Sequence, residues 1–232
     1  MSKVQSNKKL RAIEFALVIF VALAPPIFRS VFILITGRYI YDPNSLDALY
    51  FGGIISQVTT FAVLAYVLFR QGRSLKQIGF SFVRVDLLHS ALLAVVAFAA
   101  SYLCLTGTYY GYYFVMKSLP NTYPQNVGFL AAGITLPSLV YVLLNPFHEE
   151  LVVRAFTISE VEYLTKRSSL AVIISVVLQT SYHLYQGLFT AWSYVPLFLV
   201  FSLYYVKWKR ITPVILAHLY FDLWALLAYP KH

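Results

Sequence analysis

Glu149 and Glu150 stand side by side with Arg154 four residues further on, in the stretch Phe147-His148-Glu149-Glu150-Leu151-Val152-Val153-Arg154. The segment around them is otherwise apolar enough to cross a membrane. A charged side chain near the bilayer centre costs about 2.5 to 3.5 kcal/mol on insertion scales, so a cluster of them is a functional-site candidate by default. On a helix Glu150 and Arg154 share a face and form a supporting ion pair. Glu149 is turned away from Glu150 by about 100° and is left to face something else.

Partners follow from depth. The span that carries Glu149 and the next one form a hairpin that turns at Lys166 and Arg167. Glu149 lies 17 residues before Lys166 and His183 lies 16 after Arg167, so the two should meet at one height. The last span carries His218 and, four residues later on the same face, Asp222. Glu149, Glu150, Arg154, His183, His218 and Asp222 then make a set of acids, bases and donors able to surround one water and one carbonyl. The pair His148-Glu149 begins a zinc-protease HExxH motif, but position 152 is a valine and the motif fails. His148, His89 and His232 are expected at the membrane interface.

The elements that must position these residues are helices in a bilayer. The 232 residues are 59% hydrophobic and only 12% charged, with mean hydropathy +0.70, which excludes an ordinary soluble domain. Apolar runs fall at roughly 12–37, 48–69, 86–108, 128–158, 168–187, 189–206 and 211–229. Each is near the ~20 residues that cross a bilayer. The expectation is an all-α polytopic transmembrane helix bundle of about seven spans, a single domain over 1–232 with the polar site inside it.

The net charge of +9 comes from basic residues between the apolar runs, which argues for the positive-inside rule and against nucleic acid as a partner. Sorted by alternate loops, thirteen basic residues face three, with Arg29 and Arg154 inside spans. That puts the N-terminus in the cytoplasm and the C-terminus outside. The N-terminal Lys3, Lys8, Lys9 and Arg11 precede an apolar run that continues into Pro25-Pro26, so a retained first span is expected rather than a cleaved signal. The two prolines should kink or break it, with Arg29 snorkelling or paired to a carboxylate. Pro146 should bend the span just before the glutamates. The tyrosines 109, 110, 112 and 113 read as an interfacial belt, Lys117 to Gln125 as an outer loop, and the lone Cys104 as packing.

The ordered set Glu149-Glu150-x-x-x-Arg154, then His183, then His218-x-x-x-Asp222 resembles the CAAX-protease and bacteriocin-processing (abortive-infection) family of intramembrane peptidases. The stretches that carry it are EELVVR at 149–154, QTSYHLYQG at 179–187 and ITPVILAHLYFD at 211–222, with the loop SLKQIGF at 74–80 before them. The likeness covers roughly 70–225, a peptidase-like core preceded by one or two extra spans. Two positions depart from the family pattern. Gln179 stands where an aromatic residue is usual, and Asp222 stands where Asn is frequent; an ionised aspartate cannot donate to an oxyanion.

The resemblance implies a membrane-embedded endopeptidase of glutamic type. Glu149 would be the general base, His183 would help hold the water, and His218 with Asp222 would face the oxyanion. Glu150 and Arg154 would be the supporting pair. Zinc is the alternative, with His183, His218 and either Glu149 or Asp222 as ligands. Glu149 cannot easily be both ligand and base, so no cofactor is favoured. Partners are membrane lipids and a membrane-associated peptide or protein substrate. Short loops suit a prokaryotic cell membrane and a leader peptide or bacteriocin better than a prenylated tail. The competing classes are a non-catalytic immunity or peptide-binding membrane protein and an ion-coupled carrier; a carrier would be supported by inverted broken-helix repeats, which the sequence lacks.

Overall fold

Long apolar stretches without turn residues can satisfy their backbone in lipid only as helices, and the described chain is helical with no strand among the described residues. The computed structural model describes residues 8–38, 46–118 and 134–228. In chain order the helices are α1 (Lys8–Thr36), α2 (Leu46–Arg70), α3 (Val85–Met116), α4 (Leu136–Glu149), α5 (Thr157–Thr165), α6 (Ser168–His183), α7 (Leu188–Trp208) and α8 (Thr212–Ala228). A π-helical segment, Glu150–Phe156, joins α4 to α5 without a break. Five helices are long and apolar enough to cross a membrane: α1, α2, α3, α6 (with the turn that follows it) and α7. The remaining two expected spans are the π-interrupted rod of α4 and α5 and the shorter α8. The protein is a multi-pass integral membrane helix bundle.

α3 has 32 residues, about 48 Å at 1.5 Å per residue, and so exceeds the ~30 Å hydrocarbon core. Its surplus is the final stretch with Tyr109, Tyr110, Tyr112 and Tyr113. α1 runs through Pro25 and Pro26 as one 29-residue helix, so the prolines do not break it. Most of the expected outer loop after Lys117, and His232, lie outside the described residues.

The π segment is the centre of the bundle. Val152, Val153, Ala155 and Phe156 are wholly buried there, in one core with residues of α1, α2, α3, α6, α7 and α8. α1 packs on α6, α2 on α4, and α3 on both α7 and α8. Around this centre the helix ends are tied by charge. Glu160, fully buried, accepts from Arg11 at 2.9 and 2.5 Å and pairs with Arg73. Glu14 pairs with Arg70 at 2.6 Å, Glu162 with Lys209 at 2.5 Å and Asp86 with Arg210 at 2.6 Å. Arg11 is buried within α1, and Glu160 and Val161 are buried while Thr165, Lys166 and Arg167 at the turn are exposed.

The loop 74–80 sets the start of α8. Gly79 adopts φ +89°, and its missing side chain lets the Lys209 carbonyl approach closely. Ile211 N–H then donates to the Gly79 carbonyl at 3.0 Å, and Thr212 Oγ1 donates to the Ser81 carbonyl at 2.9 Å. Both contacts pin the first turn of the helix that carries His218.

Candidate active site

Glu149 ends α4 and Glu150 opens the π segment, so the two carboxylates leave the rod in different directions. π-helical turns are rare and occur often at functional sites, where the wider turn re-aims side chains. Thr157 Oγ1 supports this one by donating to the Val152 carbonyl five residues back, at 2.8 Å.

Glu150 is fully buried and carries full charge compensation. Arg154 Nη1 donates to its Oε2, and His218 Nδ1 hydrogen-bonds to its Oε1 at 2.7 Å. Arg154 is itself fully buried, with its guanidinium 5.1 Å from the Phe201 ring centre and 5.7 Å from that of Phe198. The ion pair read from the spacing is therefore present. It has a third member, since His218 closes Glu150 from the opposite side.

Glu149 is also buried, at 8% exposed, but its hydrogen bonds come from uncharged groups. Oε1 accepts from Asn145 Nδ2 at 3.0 Å. Oε2 accepts from Tyr182 Oη at 2.7 Å and from Gln179 Nε2 at 3.1 Å. His183 Nε2 faces the same Oε2 at 4.0 Å, beyond direct hydrogen-bond reach. The equal-depth argument around the hairpin thus describes the geometry: Glu149 and His183 turn toward each other. The His183 ring sits among Tyr182, Tyr185, Tyr194 and Phe198, with centroids 4.9 to 6.4 Å away.

His218 links the two sides. With Nδ1 on Glu150, its Nε2 lies 3.4 Å from Asp222 Oδ1. Asp222 Oδ2 in turn accepts from Asn145 Nδ2 at 3.2 Å. All six residues singled out by type and spacing come together around one polar centre. His148 does not behave as expected: it is buried rather than interfacial, with its ring edge-on to Phe61 at 6.1 Å. A membrane helix packed against α2 on that face has no water for it to reach. His89 stays half-buried at the start of α3, with Nδ1 2.8 Å from Tyr204 Oη. Arg29 is half-buried on α1, within electrostatic range of Tyr141 and Tyr185.

Three neighbours of Glu149 were missed as site residues: Asn145, Gln179 and Tyr182. Helical spacing could have found them, because Asn145 lies four before Glu149 and Gln179 lies four before His183 and three before Tyr182. Gln179, the departure from the family pattern, is fully buried and donates its amide to Glu149. Among the described residues no group of three or more His, Cys, Asp or Glu side chains is placed to hold a metal ion.

Residues 131–224 match the family model described as "Rce1-like: Type II CAAX prenyl endopeptidase Rce1-like". No curated protein and no solved structure gives a significant match. The matched segment contains α4, the π segment and α5 to α7 with most of α8, and so all six residues of the polar centre. The match covers 94 of the 232 residues, less than half of the chain, and in this segment the chain is similar to the Rce1-like family.

Proposed function

We propose that this protein is an intramembrane endopeptidase in which Glu149 activates a water against a peptide bond of a membrane-associated substrate. The observation that carries this reading is the asymmetry between adjacent carboxylates. Glu150 is neutralised by Arg154 and His218, whereas Glu149 is held by the uncharged donors Asn145, Gln179 and Tyr182. Glu149 has no Lys or Arg on it and is held ionised and in place by neutral donors, with one oxygen turned to His183.

The steps follow from the positions. A water between Glu149 Oε2 and His183 Nε2 bridges their 4.0 Å separation. Glu149 takes its proton as the oxygen attacks the scissile carbonyl carbon, and the oxyanion that forms faces the His218 side of the site. The C–N bond then breaks, and the proton held by Glu149 goes to the leaving amine. Charge developing in a dry site is stabilised far more strongly by preset donors than it would be in water. Asp222, bonded to the Asn145 amide and set against His218, orients both rather than donating to the oxyanion.

The mechanism proposed is metal-independent. The substrate is a membrane-associated peptide or protein reached from lipid, with no part for nucleic acid. By the positive-inside rule, the basic helix ends support a cytoplasmic N-terminus and cytoplasmic paired loops. The test is substrate trapping: membranes carrying Glu149→Gln are compared with wild type by peptide mass spectrometry. At least one membrane peptide should accumulate intact with the variant and appear shortened with wild type; identical peptide profiles with both proteins folded would contradict the reading.

A further inference from the structure

α2 lies outside the matched segment 131–224, and Gln57 in its middle is an amide buried in an otherwise apolar span, 2% exposed. A buried amide in a membrane helix needs partners inside the bundle. Gln57 Nε2 donates to Asn145 Oδ1 at 3.3 Å. Asn145 then has both hydrogens of its NH2 committed, one to Glu149 Oε1 at 3.0 Å and one to Asp222 Oδ2 at 3.2 Å.

The chemistry of this chain runs one way. A carboxamide has two N–H donors on one end and one acceptor on the other. Two carboxylates demand the donor end, so the Asn145 oxygen must point away from them, toward α2. The donor that meets it there is Gln57. If the Asn145 amide turned over, its oxygen would face two carboxylates and its NH2 would face the NH2 of Gln57, costing attractive contacts at three places. The two carboxylates set the orientation of the amide, and Gln57 adds a third contact on its oxygen from α2.

We propose that Gln57 is a positioning residue that acts through Asn145 to hold the Glu149 and Asp222 carboxylates to one amide group. α2 is therefore part of the active-site machinery although it carries none of the motif residues. The significance of Glu149 as the base rests on the peptidase reading.

Full-length protein in detergent is treated with dicyclohexylcarbodiimide, which couples to protonated carboxyls in apolar surroundings, and each carboxylate is read by peptide mass spectrometry. An N–H donor holds the ionised form, so its loss speeds labelling. Asn145→Leu should raise the labelling rate of Glu149 and Asp222 by about threefold or more. Gln57→Met should raise both by about twofold and should add nothing in the Asn145→Leu background. Glu150, held by Arg154 and His218, serves as the internal reference. Should Gln57→Met not yield folded protein, Gln57→Asn stays polar but is one methylene too short to reach Asn145, and the same shift is expected. Unchanged labelling, or a Gln57 effect that persists in full without Asn145, overturns the proposal. The readout needs no substrate: missing proteolysis by wild type would count against the peptidase reading, and the labelling would still decide this one.

Discussion

Glu149 and Glu150 are chain neighbours in opposite electrostatic company, and that difference makes their variants separable. Removing Arg154 leaves Glu150 buried with His218 alone, and breaking a buried pair by deleting one member costs about 3 to 5 kcal/mol. Arg154→Ala is therefore expected to lower folded yield and thermal midpoint together with activity; a wild-type melting curve would contradict the ion-pair assignment. Glu149→Gln loses the negative charge but keeps the shape and most donors around it. It should abolish proteolysis with the fold intact, as judged by size-exclusion elution and melting.

At the scale of elements, α1 positions the site without contributing to its chemistry. Ser30 Oγ accepts the Tyr185 backbone N–H at 2.7 Å, fixing the short 3-10 turn Leu184–Gln186 that follows His183. Leaving such a donor buried without a partner costs about 1 to 3 kcal/mol. Ser30→Val is expected to destabilise by that amount and to reduce turnover by displacing His183, measured as a lower melting point and slower cleavage of the trapped substrate. The same level shows what the sequence could and could not tell. The meeting of Glu149 and His183 was legible, because an antiparallel hairpin converts equal sequence distance from its turn into equal depth. The Glu150–Arg154 pair was legible from i,i+4 spacing. The π segment was not, since nothing in Leu151–Phe156 marks a wider turn in the sequence. His148 was misplaced because hydropathy alone does not say which helix covers a given face. Gln57 stood in plain view as an amide in an apolar run, yet only the packing of α2 on α4 gives it a partner.

The whole molecule keeps one polar centre inside an apolar bundle, closed at one end by acids paired with basic loops. The pairs Glu160 with Arg11 and Arg73, and Asp86 with Arg210, join segments far apart in the chain, so they order the bundle as well as marking the basic side. Cysteines placed in the loops at 71–74 and 207–210 are expected to react with membrane-impermeant reagents only from the cytoplasmic side; labelling from outside intact cells would invert the topology. The proposed metal independence is tested on the assembled protein. Activity of the purified enzyme should survive a strong zinc chelator, and a stoichiometric zinc lost and regained in step with activity would require a different mechanism.

The central claim is that Glu149 delivers water to a peptide bond. The most direct measurement is cleavage of a trapped membrane peptide in 18O-labelled water, by wild type and by folded Glu149→Gln, with products read by mass spectrometry. The account predicts that wild type yields a shortened peptide whose new C-terminal carboxylate carries a single 18O from solvent, and that Glu149→Gln yields none. The same labelled product from Glu149→Gln would contradict it.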